Sequence, residues 1–102
     1  MQIEYDAQSK CWKVSIQGDL DITRVLALRE PVLAQLETRP ANVLVDASKL
    51  TYIDSTGLGA LVSVRNRVIA DGFQIKITGL AGHIKKLFVL TGLEEAFGLG
   101  EE

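Results

Sequence analysis

The stretch Asp54-Ser55-Thr56-Gly57-Leu58-Gly59 places one carboxylate, two hydroxyls and two glycines ahead of an apolar helical run. Asp, Ser and Thr are the residue types that cap a helix, because their side-chain oxygens accept from the unpaired N–H groups of the first turn. A cap accounts for that composition. A second chemistry is also open to it. A hydroxyl held at the positive end of a helix is a place where a phosphate can be attached and tolerated. Asp19 and Asp21, in Gly18-Asp19-Leu20-Asp21, suffice as turn and helix-start residues. With Asp54 they would hold Mg2+ only if the fold brought the three carboxylates together.

Other chemistries fail on the residues available. The single histidine, His83, stands next to Lys85 and Lys86 on the polar side of a short helix, and no second His or Cys completes a metal cluster or a nucleophilic triad. Cys11 is the single cysteine, so there is no internal disulfide, and nothing is spaced to activate its thiol. A Gly-rich phosphate loop ending in Lys-[Ser/Thr] is absent. Asp54-Ser55-Thr56-Gly57 is similar in part to the Asp-[Thr/Ser]-Gly of half-size aspartic proteases, but it is one residue longer and opens a helix behind a strand. These residues lead us to expect no enzyme, cofactor or metal site. A net charge of −2 over 102 residues gives no general attraction to nucleic acid or acidic membrane. No apolar run approaches the about 20 residues of a membrane span, and Met1-Gln2-Ile3-Glu4-Tyr5 is unlike a signal peptide. The expectation is a cytoplasmic protein forming one domain over residues 1–102, with a single core.

The elements that must position the focal stretch follow from periodicity. Ile3 and Tyr5, then Trp12, Val14 and Ile16, alternate with polar residues as two strands of a hairpin, with Cys11 facing away from the core. From Ile22 to about Thr38, Val25, Leu28, Val32 and Leu36 recur at helical spacing, and Leu26 and Leu33 widen the stripe. Pro31 interrupts it, so the helix is either kinked there or split; a kink is favoured. Val43-Leu44-Val45 reads as a central strand covered on both faces, and residues 46–51 as a loop. A helix from about Thr56 to Ala70 turns Leu58, Leu61, Val62, Arg65, Val68 and Ile69 to one side. Gly57 and Gly59 are poor helix formers, which points to close approach of the backbone to a neighbour. Phe73, Ile75 and Ile77 form a fourth strand, Ile84, Leu87 and Phe88 the apolar side of a short helix, and Leu93, Ala96 and Phe97 a last helical turn or two; residues 98–102 are expected to fray. The order β-β-α-β-α-β-α-(α) predicts an α/β fold: a mixed, mostly parallel sheet of about four strands with an antiparallel N-terminal edge, packed by about four helices. No long heptad or unusually apolar helix face demands a dimer.

Three stretches resemble the STAS domain family, and within it the single-domain bacterial anti-sigma factor antagonists. Gly18-Asp19-Leu20-Asp21 is similar to the family's Gly-[Glu/Asp]-Leu-Asp after the second strand. Tyr52-Ile53-Asp54-Ser55-Thr56-Gly57-Leu58-Gly59 resembles its phosphorylation stretch, and Leu87-Phe88-Val89-Leu90-Thr91-Gly92-Leu93 its Leu-Phe-x-x-[Ser/Thr]-Gly-Leu segment. In this order they span nearly the whole chain; Pro31 departs from the family's first helix.

The resemblance implies a partner switch. Such proteins bind an anti-sigma factor that is also a serine protein kinase and so free the sigma factor. The kinase phosphorylates the hydroxyl directly after the Asp, here Ser55, with Thr56 the lesser candidate, and a PPM-type serine phosphatase restores the binding form. Asp19, Asp21, Asp54, Ser55, Thr56, Gly57 and Leu58 are then the expected partner-binding residues, the three acids offering a negative rim to Arg or Lys. The alternative is a non-phosphorylated STAS accessory subunit of a transporter or stressosome-type assembly, in which Ser55 serves the helix start alone.

Overall fold

A computed structural model describes residues 1–99 of the chain. The elements are β1 (Gln2–Asp6), β2 (Cys11–Leu20), α1 (Val25–Thr38), β3 (Asn42–Ile53), α2 (Ser55–Ala70), β4 (Ile75–Thr78) and α3 (Gly82–Leu90). The sheet runs β1-β2-β3-β4. β1 pairs antiparallel with β2, as the hairpin pattern predicts. The other two pairings are parallel, which requires the crossovers that α1 and α2 supply. Three helices are present among the described residues where about four were expected. The segment read as a last helix, residues 93–97, forms no α-helix; residues 94–98 are consecutive turns instead.

One face of the sheet carries the core. Trp12, Val14, Ile16 and Leu20 from β2 and Val43, Val45, Ala47, Leu50 and Ile53 from β3 join Leu28, Val32 and Leu36 of α1, Leu61, Val64 and Val68 of α2, and Ile84 and Phe88 of α3. The opposite face is open: Lys13, Gln17, Asp46 and Ser48 are exposed there. So β3 is central, but covered on one face only, contrary to the expectation from its apolar start. Cys11 stays out of the core cluster as expected, yet it is buried, with its Sγ 3.1 Å from the Ser9 hydroxyl of the hairpin turn.

β2 and β3 both run further than their alternation suggests. Gly18, at φ 76°, takes a left-handed conformation inside β2 rather than ending it. Register shifts between Ser15 and Gln17 and between Gly18 and Asp19 each set an extra β3 residue against β2. The inward positions of β3 therefore step by two through Val43, Val45 and Ala47, then by three to Leu50 and Ile53. Residues 46–51 read as a loop because these bulges break the period of two.

α1 is one unbroken helix through Pro31. Pro31 and Ala27, whose carbonyl loses its helical partner, are both exposed, so water can replace the missing bond. Leu26 lies on the solvent side rather than widening the buried stripe. α2 is turned relative to expectation: Ala60, Leu61, Val64 and Val68 form its buried face, and Ile69 is exposed. Beyond α3 the chain returns along β4, where Phe97 O accepts the Ile77 N–H at 3.0 Å. The Phe97 ring meets Phe88 edge-on at 5.5 Å, and both side chains are 0% exposed. Leu99 is buried too, so residues 98 and 99 do not fray; residues 100–102 lie outside the described residues.

Phe97 closes the core and covers the β4 edge. Phe97→Ala should therefore lower the unfolding free energy by about 3–5 kcal/mol, the usual cost of emptying a buried aromatic site. Urea denaturation measures this, and a loss below about 1 kcal/mol would mean that the segment contributes little.

Candidate functional site

The focal stretch begins where β3 ends. Ile53 is buried, which pins the strand end to the core and leaves Asp54 at the mouth of α2. Asp54 is the N-cap: one carboxylate oxygen accepts from the Gly57 N–H at 2.9 Å and from the Thr56 hydroxyl at 2.6 Å. These donors hold the Asp54 carboxyl below its ordinary 3.8, the Thr56 hydroxyl foremost and the Gly57 N–H next, with the main-chain N–H groups of Ile22 and Thr56 adding to them. The first helical bond, Leu58 N–H to Asp54 O at 3.0 Å, continues the cap into the helix. Leu58 itself is half-buried against the core.

Gly57 makes the close approach that its residue type suggests. A Cβ there would stand 2.3 Å from the Leu20 carbonyl oxygen and 2.7 Å from Ile53 Cγ1. The first turn of α2 thus lies directly on the end of β2, and the Asp54 N–H reaches the same Leu20 carbonyl at 3.4 Å. This contact brings Gly18-Asp19-Leu20-Asp21 beside Tyr52-Ile53-Asp54-Ser55, and the ladder pairs Asp19 with Tyr52 and Leu20 with Ile53. Gly59 does not follow Gly57: a Cβ at Gly59 meets nothing within 4 Å.

The three acids are held separately. Asp19 accepts from the Thr51 hydroxyl at 2.9 Å. Asp21 accepts from its own turn, from Thr23 N–H at 3.0 Å and the Thr23 hydroxyl at 2.6 Å, while its carbonyl receives the Arg24 and Val25 N–H groups. Asp21 therefore shapes the entry to α1, and Asp19 does not. Among the described residues no three His, Cys, Asp or Glu side chains are grouped to hold a metal ion. His83 is exposed, with Nε2 3.4 Å from the Thr51 carbonyl.

The two hydroxyls differ in availability. Thr56 is committed to Asp54. Ser55 is the first residue of α2 and is exposed, and no hydrogen bond engages its hydroxyl among the described residues. Residue types did not single out three exposed apolar side chains on the elements that lead into this site: Ile22 is 70%, Leu26 58% and Tyr52 52% exposed. Ile22 lies in the turn that precedes α1, and Leu26, in the first turn of α1, sits off the buried Leu28, Val32 and Leu36 line. That offset was the available signal.

Two outcomes follow from the cap and the close approach. Gly57→Ala should destabilise the fold by about 1–3 kcal/mol, because the new methyl group meets backbone rather than a movable side chain; an unchanged denaturation midpoint would refute the contact. The Asp54 carboxyl is lowered in the folded state, so its ionisation favours folding above the ordinary 3.8 and that contribution is lost as the pH falls through the folded value. Unfolding free energy should therefore drop more steeply on acidification below about pH 4 for the parent than for Asp54→Asn, which keeps a cap without the titration. Equal slopes in acid titrations of stability would count against this.

A family model described as "Mlab, STAS domain" matches residues 3–101. The anti-sigma-B factor antagonist of Staphylococcus aureus (strain NCTC 8325) is 29% identical over 101 residues, covering 99% of this chain and 94% of that protein. An anti-sigma factor antagonist from Mycobacterium paratuberculosis superposes with a TM-score of 0.75 at 25% identity, over 94% of this chain and 80% of that one. The Bacillus cell fate determinant SpoIIAA, in its phosphorylated form, shares the fold with a TM-score of 0.73 at 18% identity, over 93% and 86% of the two chains. By the match along nearly its full length and by its fold, the chain belongs to the STAS domain family.

Proposed function

We propose that this protein is an anti-sigma factor antagonist. It acts as a binding protein rather than an enzyme, in the cytoplasm and as one STAS domain. Its surface around Ser55 binds an anti-sigma factor that is also a serine kinase. Phosphorylation of Ser55 ends that binding, and a PPM-type phosphatase restores it. The observation that carries the reading is the contrast between the hydroxyls: Thr56 is tied to the Asp54 carboxylate, while Ser55 is exposed and unengaged at the start of α2. The relatives named above as antagonists support the same reading.

The docking surface combines Asp19, Asp21 and Asp54 with Ser55, Thr56, Gly57 and Leu58, bordered by exposed Ile22, Leu26 and Tyr52. Apolar area supplies the contact and the acids attract basic side chains. Phosphate adds about −1.5 to −2 charges at Ser55. The helix N-terminus favours that charge by about 0.3–1 kcal/mol, so the fold persists. A partner carboxylate about 5 Å away would be repelled by about 3 kcal/mol per charge pair at an effective dielectric of about 20. Since about 1.4 kcal/mol is tenfold in affinity, the phosphorylated form should bind about a hundredfold more weakly or worse.

The test is intact-mass analysis after incubation with the anti-sigma kinase and ATP, beside calorimetric titration of both forms. One phosphate is expected on the parent and on Thr56→Ala, and none on Ser55→Ala. Binding without transfer would point instead to a constitutive antagonist or an accessory subunit. Equal affinity of the phosphorylated and unmodified forms would end the switch reading.

A further inference from the structure

Nothing among the described residues explains Gly59. It is exposed within α2, at a backbone conformation open to any residue, and among the described residues an added Cβ would meet no heavy atom within 4 Å beyond its own stretch of helix. Gly57, two residues earlier, shows what an internal demand for glycine looks like, with backbone 2.3 Å from the same built position. Glycine inside a helix is less stable than alanine, so at Gly59 the fold gives up stability with no internal return.

The position supplies a reason. Gly59 lies four residues beyond Ser55, on the same face and one turn along, where Cβ positions are about 5–6 Å apart. A protein that reaches the Ser55 hydroxyl along this face of α2 also lies over that next turn. We propose that Gly59 is a contact residue of the docking surface, bare so that the main chain of the anti-sigma factor can close over the first two turns of α2. The inference rests on the reading of this chain as an antagonist and extends its surface from Ser55 along the helix. Gly57 then also serves the fold, and Gly59 the partner alone.

Gly59→Ala separates the two roles, because it should raise stability and lower binding together. With the full chain and the anti-sigma factor that binds the parent, the expected result is a melting temperature higher by about 4–8 °C and an affinity lower by about tenfold or more. A variant that melts higher but binds as tightly as the parent overturns the proposal while the antagonist reading stands. A variant that melts no higher than the parent also overturns it, by showing an internal use for the glycine. If no anti-sigma factor from the host binds the unmodified parent, the antagonist reading itself fails and this contact with it.

Discussion

The approach of α2 to the Leu20 carbonyl sets the geometry of everything around it. It exists because Gly57 has no Cβ, and any other residue would collide with backbone. Leu20 and Ile53 are both core residues paired across the parallel ladder, so the contact forms over a side already fixed by hydrophobic burial. Beyond Leu20 the chain turns at Asp21 into α1, and beyond Ile53 it turns at Asp54 into α2. One backbone contact therefore holds two helix entries next to each other, and the surface they form is a property of the fold rather than of a mobile loop.

The acids on this surface are held by hydrogen bonds rather than by ion pairs. Asp19, Asp21 and Asp54 each accept hydrogen bonds from neutral donors: Thr51, Thr23, and Thr56 with Gly57. The ion pairs among the described residues lie elsewhere, at Lys13–Asp6, Arg29–Glu30 and Arg67–Asp71. Neutral donors orient a carboxylate without cancelling its charge, so the rim keeps a field that a cationic partner can meet. Under the proposed function this field attracts the partner's basic side chains while Ser55 is unmodified.

Much of this was legible in the chain because the relevant patterns are local. Alternation at Trp12, Val14 and Ile16 and the spacing of Leu28, Val32 and Leu36 report the face that each element buries. The cap at Asp54 follows from residue type alone. What was hidden depends on contacts between elements. The bulges opposite Ser15–Asp19 destroy the period of two in β3, so half of a twelve-residue strand looked like loop. The open sheet face could not be read from Val43-Leu44-Val45, because an apolar triplet does not say whether a second layer of helices exists. Phe97 sits in turns, and its role along β4 comes from a long-range main-chain bond and a ring contact with Phe88. Gly57 and Gly59 are the same residue type two positions apart, and only the neighbour at one of them tells the two uses apart.

That distinction bears on how a small modification can control binding without disturbing the fold. The groups that fasten the site are the Asp54 carboxylate, the Thr56 hydroxyl, the Gly57 N–H and the Leu20 carbonyl, and Ser55 takes part in none of these contacts. A charge placed on Ser55 breaks no internal hydrogen bond and displaces no packed atom. Its interaction with the helix terminus is mildly favourable, and its repulsion from Asp54 is moderated by the donors that already hold that carboxylate. The energy of the added charge is then expressed where no such preparation exists, in the contacts a partner must make with the exposed first turn. Under the proposed function, a site fastened through its neighbours, with the Ser55 hydroxyl left out, converts a covalent change into a change of affinity.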